Sequence, residues 1–115
     1  MGMIKVYGIK NCDSVRKAVK FLKSHDIPYE FVDFRETPVD LQTIERWLCY
    51  TDIKKLFNTR GTTYRTLGLK EMDLDDEAKK MWLAKENMLI KRPVIELDND
   101  ILVGYDETLY KEKLL

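Results

Sequence analysis

Cys12 and Cys49 stand far apart in a chain whose only imidazole is His25. A Cys-His nucleophilic pair or a His-based metal site would therefore rest on one residue, and two distant thiols suit neither a disulfide scaffold nor a zinc site. Covalent chemistry falls to thiol, carboxylates and arginines. Cys12 sits in the polar run Lys10-Asn11-Cys12-Asp13-Ser14, just after a short apolar segment and at the head of an amphipathic one. The backbone N–H groups of a helix's first turn are unpaired and carry the positive end of its dipole, so a cysteine placed there is favoured as thiolate. Lys10 and Arg16 act in the same direction. Asp13 opposes them, although Asp also suits a first helical turn. This setting favours a reactive nucleophile at Cys12 over the small buried filler that free cysteine commonly becomes, and it makes Lys10, Asn11, Asp13 and Ser14 the candidate residues for holding a thiol or substrate. The three residues after Cys12 are Asp13, Ser14 and Val15, so no Cys-x-x-Cys pair exists and the site is monothiol. Any disulfide formed at Cys12 has to be resolved by a thiol from outside or by Cys49. Cys49, between Leu48 and Tyr50, reads as a packed core residue.

Two further segments carry cations. Lys91-Arg92-Pro93 places a planar bidentate donor before a strand pattern. Pro93 suits a first strand position, and an X-Pro bond there can be cis. The plain alternative for Lys91-Arg92 is a solvated strand edge. Asn58-Thr59-Arg60-Gly61-Thr62-Thr63 reads as a polar loop able to hold an anion on its N–H groups and Arg60, or simply as a connector.

The elements that must position these residues follow from periodicity. Ile4 to Tyr7 alternate around Lys5 and exit at Gly8, a strand and its turn. From Asp13 to His25 the residues Val15, Ala18, Val19 and Leu22 recur at helical spacing. Pro28 bars continuation, and Tyr29, Phe31, Val32 and Phe34 suit a second strand, parallel to the first across the crossover helix. Thr37-Pro38-Val39-Asp40 predicts a helix start with Thr37 capping and Pro38 at the first helical position, followed by an apolar stripe at Leu41, Ile44, Trp47 and Leu48. Further helices are expected over Asp52 to Phe57 and Asp75 to Glu86, the latter with Ala78, Met81 and Trp82 inward. Pro93 to Leu97 and Ile101 to Val103 flank an Asp98-Asn99-Asp100 turn as a hairpin, and Asp106 to Leu115 closes the chain with Leu109, Tyr110 and Leu114 over the sheet. The order, β-α-β, helical block, β-β-α, matches an α/β thioredoxin-like fold with a mixed four-stranded sheet. It reads as a single domain over residues 1–115 with a helical insertion at residues 37–89.

The composition agrees with that architecture. In 115 residues, 44% are hydrophobic and 35% charged, the balance of a globular chain. Twenty Lys and Arg against twenty Asp and Glu leave no net charge, which argues against a broad nucleic-acid surface. Apolar runs fall short of the ~18 to 20 residues of a membrane span. The opening Met1-Gly2-Met3 leads into Ile4-Lys5-Val6 without the basic-then-apolar layout of an export signal, so a soluble cytoplasmic protein is expected.

Four blocks in order, Tyr7-Gly8-Ile9-Lys10-Asn11-Cys12-Asp13, Leu56-Phe57-Asn58-Thr59-Arg60-Gly61, Ile90-Lys91-Arg92-Pro93 and Leu102-Val103-Gly104-Tyr105, resemble the signature blocks of the arsenate reductase (ArsC)/Spx family. The Gly-Ile-Lys-Asn-Cys-Asp and Asn-Thr-Arg-Gly-Thr-Thr wording is most similar to its YffB-like branch. The resemblance spans Ile4 to Leu115. It implies a thioredoxin-like fold, a nucleophile at Cys12, Arg92 ahead of a cis-proline at Pro93, no bound cofactor or metal, and glutathione or a similar thiol as co-substrate with glutaredoxin as a partner. The family's glutaredoxin-linked arsenate reductases have three arginines around the thiol. Here Arg92 matches one, Asn58 stands where another is expected with Arg60 two residues late, and Gly104 takes the place of the third, so weak or absent arsenate reduction is expected. The Spx-like members imply an alternative, a regulatory or protein-interaction module that binds RNA polymerase or another protein. The Cys-x-x-Cys pair and C-terminal extension that many of them carry are absent from this sequence.

Overall fold

Val6 faces one side of a central strand because β-strand side chains alternate, and the whole sheet is organised around that row. The computed structural model describes residues 4–115; the reading of Met1-Gly2-Met3 as lacking an export signal lies outside them. Strand β1, Ile4–Gly8, pairs in parallel with β2, Tyr29–Asp33. On its other side it pairs antiparallel with β3, Val94–Glu96, which in turn pairs antiparallel with β4, Ile101–Val103. The order is β2-β1-β3-β4, a mixed thioredoxin-like sheet. Phe31, Val6, Ile95 and Leu102 are register partners across it. They form one row beneath two helices, α1 at Asp13–Ser24 and α6 at Glu107–Leu114. Ala18, Phe21 and Leu22 of α1 and Tyr110 of α6 complete a buried cluster with Val6, Ile95 and Leu102, each large apolar side chain contributing ~1.5 to 3 kcal/mol by leaving water. On the opposite face Tyr7 and Val94 are buried, and Tyr7 stacks on Phe34 with ring centroids 6.2 Å apart.

The chain divides into two units, one running up to Thr37 and resuming over Arg92–Leu115, the other Pro38–Lys91. The second unit holds α2 at Leu41–Trp47, α3 at Ile53–Leu56, α4 at Thr62–Thr66 and α5 at Asp76–Lys85, with 3-10 turns at Leu69–Met72 and Asn87–Leu89. Its buried side chains include Ile44, Trp47, Leu56, Leu69, Leu83 and Leu89. Buried Asn87 ties the unit together. Its Oδ1 accepts from Val39 N–H at 2.8 Å, and its Nδ2 donates to Val39 O at 3.2 Å and Leu83 O at 2.9 Å. Among the described residues no helix is long and apolar enough to cross a membrane.

Four expectations need correction. The first middle helix starts at Leu41 rather than Pro38: Asp40 is the cap, its carboxylate accepting from the Thr43 N–H and hydroxyl, each at 2.9 Å. Thr37 instead closes a turn by donating its N–H to Asp33 O at 2.8 Å, and Val39 uses both backbone polar groups on Asn87. Met81 is 52% exposed. Helix α5 is weakly amphipathic and turns Leu83 inward, while Trp82 is half-buried with Lys85 Nζ 5.0 Å over its ring; Lys80 on the same helix pairs with Glu45 of α2 at 3.3 Å. The Asn58–Thr63 stretch is a loop only to Gly61, which precedes α4. Cys49 is exposed rather than packed, because α2 ends at Trp47 and that indole takes the buried position; the Cys49 thiol donates to Glu45 O at 3.6 Å.

Candidate functional site at the C-terminal edge of strand β1

Gly8 lets the site form. A Cβ at this position would lie 2.6 Å from Val15 Cγ2, so glycine alone allows β1 to end tight against the first turn of α1. The Gly8 carbonyl accepts the Phe34 N–H at 2.9 Å, which fixes the end of the strand. Ile9 is buried, Lys10 and Asn11 are exposed, and the chain then reaches Cys12.

Cys12 is the N-cap residue of α1, with φ −117° and ψ 127°. Its carbonyl accepts the first helical bond from the Arg16 N–H at 2.9 Å, while its side chain makes no capping hydrogen bond. Ser, Thr, Asp or Asn would fill this place with an oxygen acceptor. With no such acceptor at Cys12, the first-turn N–H groups at this end of α1 are not capped by the N-cap side chain. Cys12 is half-buried, Ser14 is half-buried and Asp13 is exposed. Arg16 and Asp13 pair with each other on the surface. Lys10 is turned to Glu36 at 4.0 Å, with both side chains largely in solvent. Both cations expected to favour the thiolate thus have carboxylate partners at the surface, Arg16 in Asp13 and Lys10 in Glu36.

The second wall comes from the start of β3. Tyr7 pairs with Val94, so Pro93 lies at the sheet edge where β1 delivers Gly8. The Arg92-Pro93 peptide is cis, as the resemblance implied. Pro93 is buried and its carbonyl accepts the Gly104 N–H at 2.8 Å. Gly104 has φ +79°, backbone that an arginine would adopt only under strain; a third arginine at this place conflicts with the turn after β4. The Gly104 carbonyl accepts from Tyr110 Oη at 2.6 Å. Burial, with smaller effects from Tyr105 and Asp106, pushes the Tyr110 phenol well above its ordinary value, so it remains a donor. Arg92 is half-buried and its Nε is enclosed.

The candidate residues thus fall in two places. Lys10, Asn11, Cys12, Asp13, Ser14, Arg92 and Pro93 belong to the sheet unit, and Arg60 to the helical unit. The Arg60 N–H donates to Asn58 Oδ1 at 3.1 Å, so that donor closes a local turn rather than serving an anion; the exposed guanidinium is what Arg60 offers. Among the described residues no group of three or more His, Cys, Asp or Glu side chains is placed to hold a metal ion. Sequence reasoning missed Gly104 and Tyr110 as the supports of Pro93. A glycine just past the last strand and an aromatic on the closing helix were the available signals.

Comparison with known proteins gives consistent results. The family model described as the ArsC family matches residues 7–113. A protein of Haemophilus influenzae is 39% identical over 110 residues, 95% of this chain and 96% of that protein. The global transcriptional regulator Spx of Listeria innocua is 30% identical over 107 residues, 91% of this chain and 82% of that protein. The solved structure of the YFFB protein is 32% identical, covers 98% of this chain and 100% of its own, and superposes with a TM-score of 0.91.

Proposed function

Since this chain belongs to the ArsC family, we propose that it is a thiol-dependent oxidoreductase with Cys12 as nucleophile, Arg92 as the group that fixes a carboxylate or oxyanion, and glutathione or a similar small thiol as co-substrate. The observation that carries this reading is the uncapped helix N-terminus at Cys12, on the same sheet edge as Arg92 and Pro93. In the reaction, Cys12 thiolate attacks one sulfur of a disulfide R–S–S–R. The S–S bond breaks, RS⁻ leaves with the electron pair, and Cys12 is held as a mixed disulfide. A second thiolate then attacks the R sulfur, forms a new disulfide and releases Cys12 as thiolate. One half of the original disulfide has then left as thiolate and the other is carried off in the new disulfide, where a second equivalent of the incoming thiol releases it; two incoming thiols are oxidised to their own disulfide for each disulfide fully reduced. Lys10, Asn11 and Ser14 border the approach to the sulfur. Pro93 and the Cys12 loop share the sheet edge. With Asn58 and Gly104 at two of the family's three arginine positions, arsenate is a poor substrate.

The test compares alkylation of the two thiols by iodoacetamide at neutral pH, followed by intact-mass analysis after exposure to oxidised glutathione. Cys49 is the more exposed thiol, so access alone favours it. Faster alkylation and a glutathione adduct at Cys12 therefore report reactivity; equal or slower reaction at Cys12 removes the proposal. A second reading, favoured by the 30% identity to Spx, is a regulatory module. Capture of RNA polymerase that survives Cys12→Ser, without thiol turnover, selects it.

A further inference from the structure

An open groove of about 680 Å³ runs between α1 and β2. Val15 and Val19, one helical turn apart on α1, and Tyr29 and Phe31, alternate residues of β2, make its floor. Lys10, Arg16, Lys20 and Lys23 make its rim, and Ser24 closes one end. None of the lining residues is acidic. Arg16 and Lys10 share their charge with Asp13 and Glu36 in exposed pairs, which a competing carboxylate displaces readily because solvent screens such pairs. From Val15 to Ser24 the groove follows α1 for ~14 Å, the length of about four extended residues. One end is built from Lys10, Val15 and Arg16, which flank Cys12 along the chain. The sheet order leaves β2 at an edge, where an extended segment finds backbone donors and acceptors to pair with.

We propose that this groove docks an extended acidic peptide segment with alternating aliphatic or aromatic side chains, the tail of a protein disulfide presented to Cys12. The assignment of Cys12 as nucleophile rests on the proposed function; the docking does not. Apolar alternate residues enter the floor between Val19 and Phe31, and intervening Asp or Glu meet Lys20 and Lys23. In the exchange described above, R is then the docked segment, with the same bonds made and broken. The floor is recessed between helix and strand, which favours a peptide over a bilayer, since lipid-binding helices present a projecting apolar face. The absence of net charge on the chain disfavours single-stranded nucleic acid.

The test is fluorescence anisotropy with the full chain carrying Cys12→Ser, so that binding is read without chemistry. The probe is a dye-labelled peptide of about eight residues alternating Glu with Val or Leu, set beside the same peptide with Lys for Glu and beside phosphatidylserine vesicles. The acidic peptide is expected to bind and to weaken with salt. It should lose at least about tenfold in affinity to Lys20→Glu/Lys23→Glu and to Val19→Glu, while the Lys peptide gains on the double variant. All three positions are on the helix surface or its half-exposed flank, and circular dichroism checks that α1 persists. Acidic-peptide affinity within about threefold of the parent in both variants, or binding of vesicles in its place, overturns the proposal. Iodoacetamide reactivity of Cys12, measured on the same groove variants with the cysteine restored, separates the two readings. Peptide binding with an inert Cys12 overturns the thiol chemistry and supports the groove, and a reactive Cys12 without peptide binding does the reverse.

Discussion

Replacing Tyr110 by Phe removes one oxygen and tests how the Arg92-Pro93 wall is held. Tyr110 is fully buried, and its hydroxyl donates to Gly104 O at 2.6 Å, while the Gly104 N–H donates to Pro93 O at 2.8 Å. Phe keeps the ring in the cluster with Phe21 and Ile95 but deprives a buried carbonyl of this donor. A lost net hydrogen bond and a desolvated acceptor together cost about 1 to 3 kcal/mol. With an unfolding entropy of ~2.1 cal/mol/K per residue, that corresponds to a fall in Tm of about 4 to 12 °C for a chain of this size. Tyr105→Phe is the control: this half-buried ring meets Tyr110 edge-on at 5.3 Å, and the ring contact is retained. Urea titrations of the three proteins give the comparison through the midpoint at constant m. The pH dependence adds a second readout. The folded Tyr110 phenol is raised above the ordinary 10.0, so its contribution is complete below pH 10 and declines as rising pH ionises the unfolded state first. The stability gap between parent and Tyr110→Phe should therefore narrow above pH 10. A gap under about 0.5 kcal/mol, an equal loss in Tyr105→Phe, or a gap that is flat with alkaline pH refutes the buttress.

In Asn87→Leu the Val39 N–H and O and the Leu83 O lose the Asn87 hydrogen bonds, and a loss of about 2 to 4 kcal/mol is expected in urea titration; a loss below about 1 kcal/mol means that other groups take over. Arg92→Lys keeps the charge but loses the fork, and should weaken glutathione or oxyanion binding about ten- to a hundredfold in KM, whereas exposed Lys91→Ala changes it little; equal damage at both reduces Arg92 to part of a diffuse positive patch. The Asp40 carboxyl is held below its ordinary 3.8 by the Thr43 backbone and hydroxyl. Its contribution is thus present above that value and lost as pH falls through it. Asp40→Ala should be less stable at neutral pH by thermal melting, with the difference shrinking in acid; a constant difference from neutral to strongly acidic pH would show that the charge is not what caps α2.

The strand-helix-strand start was legible because its information is local. Alternation around Lys5, the helical spacing from Val15 to Leu22 and the break at Pro28 are properties of neighbouring residues, so the placement of Cys12 at the head of α1 follows from sequence alone. The late hairpin was equally clear, since Val94–Glu96 and Ile101–Val103 flank a polar turn of their own. The faces of the middle helices were not. Helix α5 has no strong apolar stripe, and its inward residue, Leu83 rather than Met81, depends on what it packs against. Cys49 was misplaced for the same reason: hydrophobic neighbours in sequence say nothing about where α2 stops, and Trp47 occupied the buried site. The residue types around Cys12 carried the monothiol reading, since no second cysteine stands within the next three positions. The sheet register that puts Pro93 at the same edge joins residues far apart in the chain, while the hydrogen bonds from Tyr110 through Gly104 to Pro93 and the groove of Val19 and Phe31 join residues of different elements, and only the packing of α1 and α6 onto the sheet decided them.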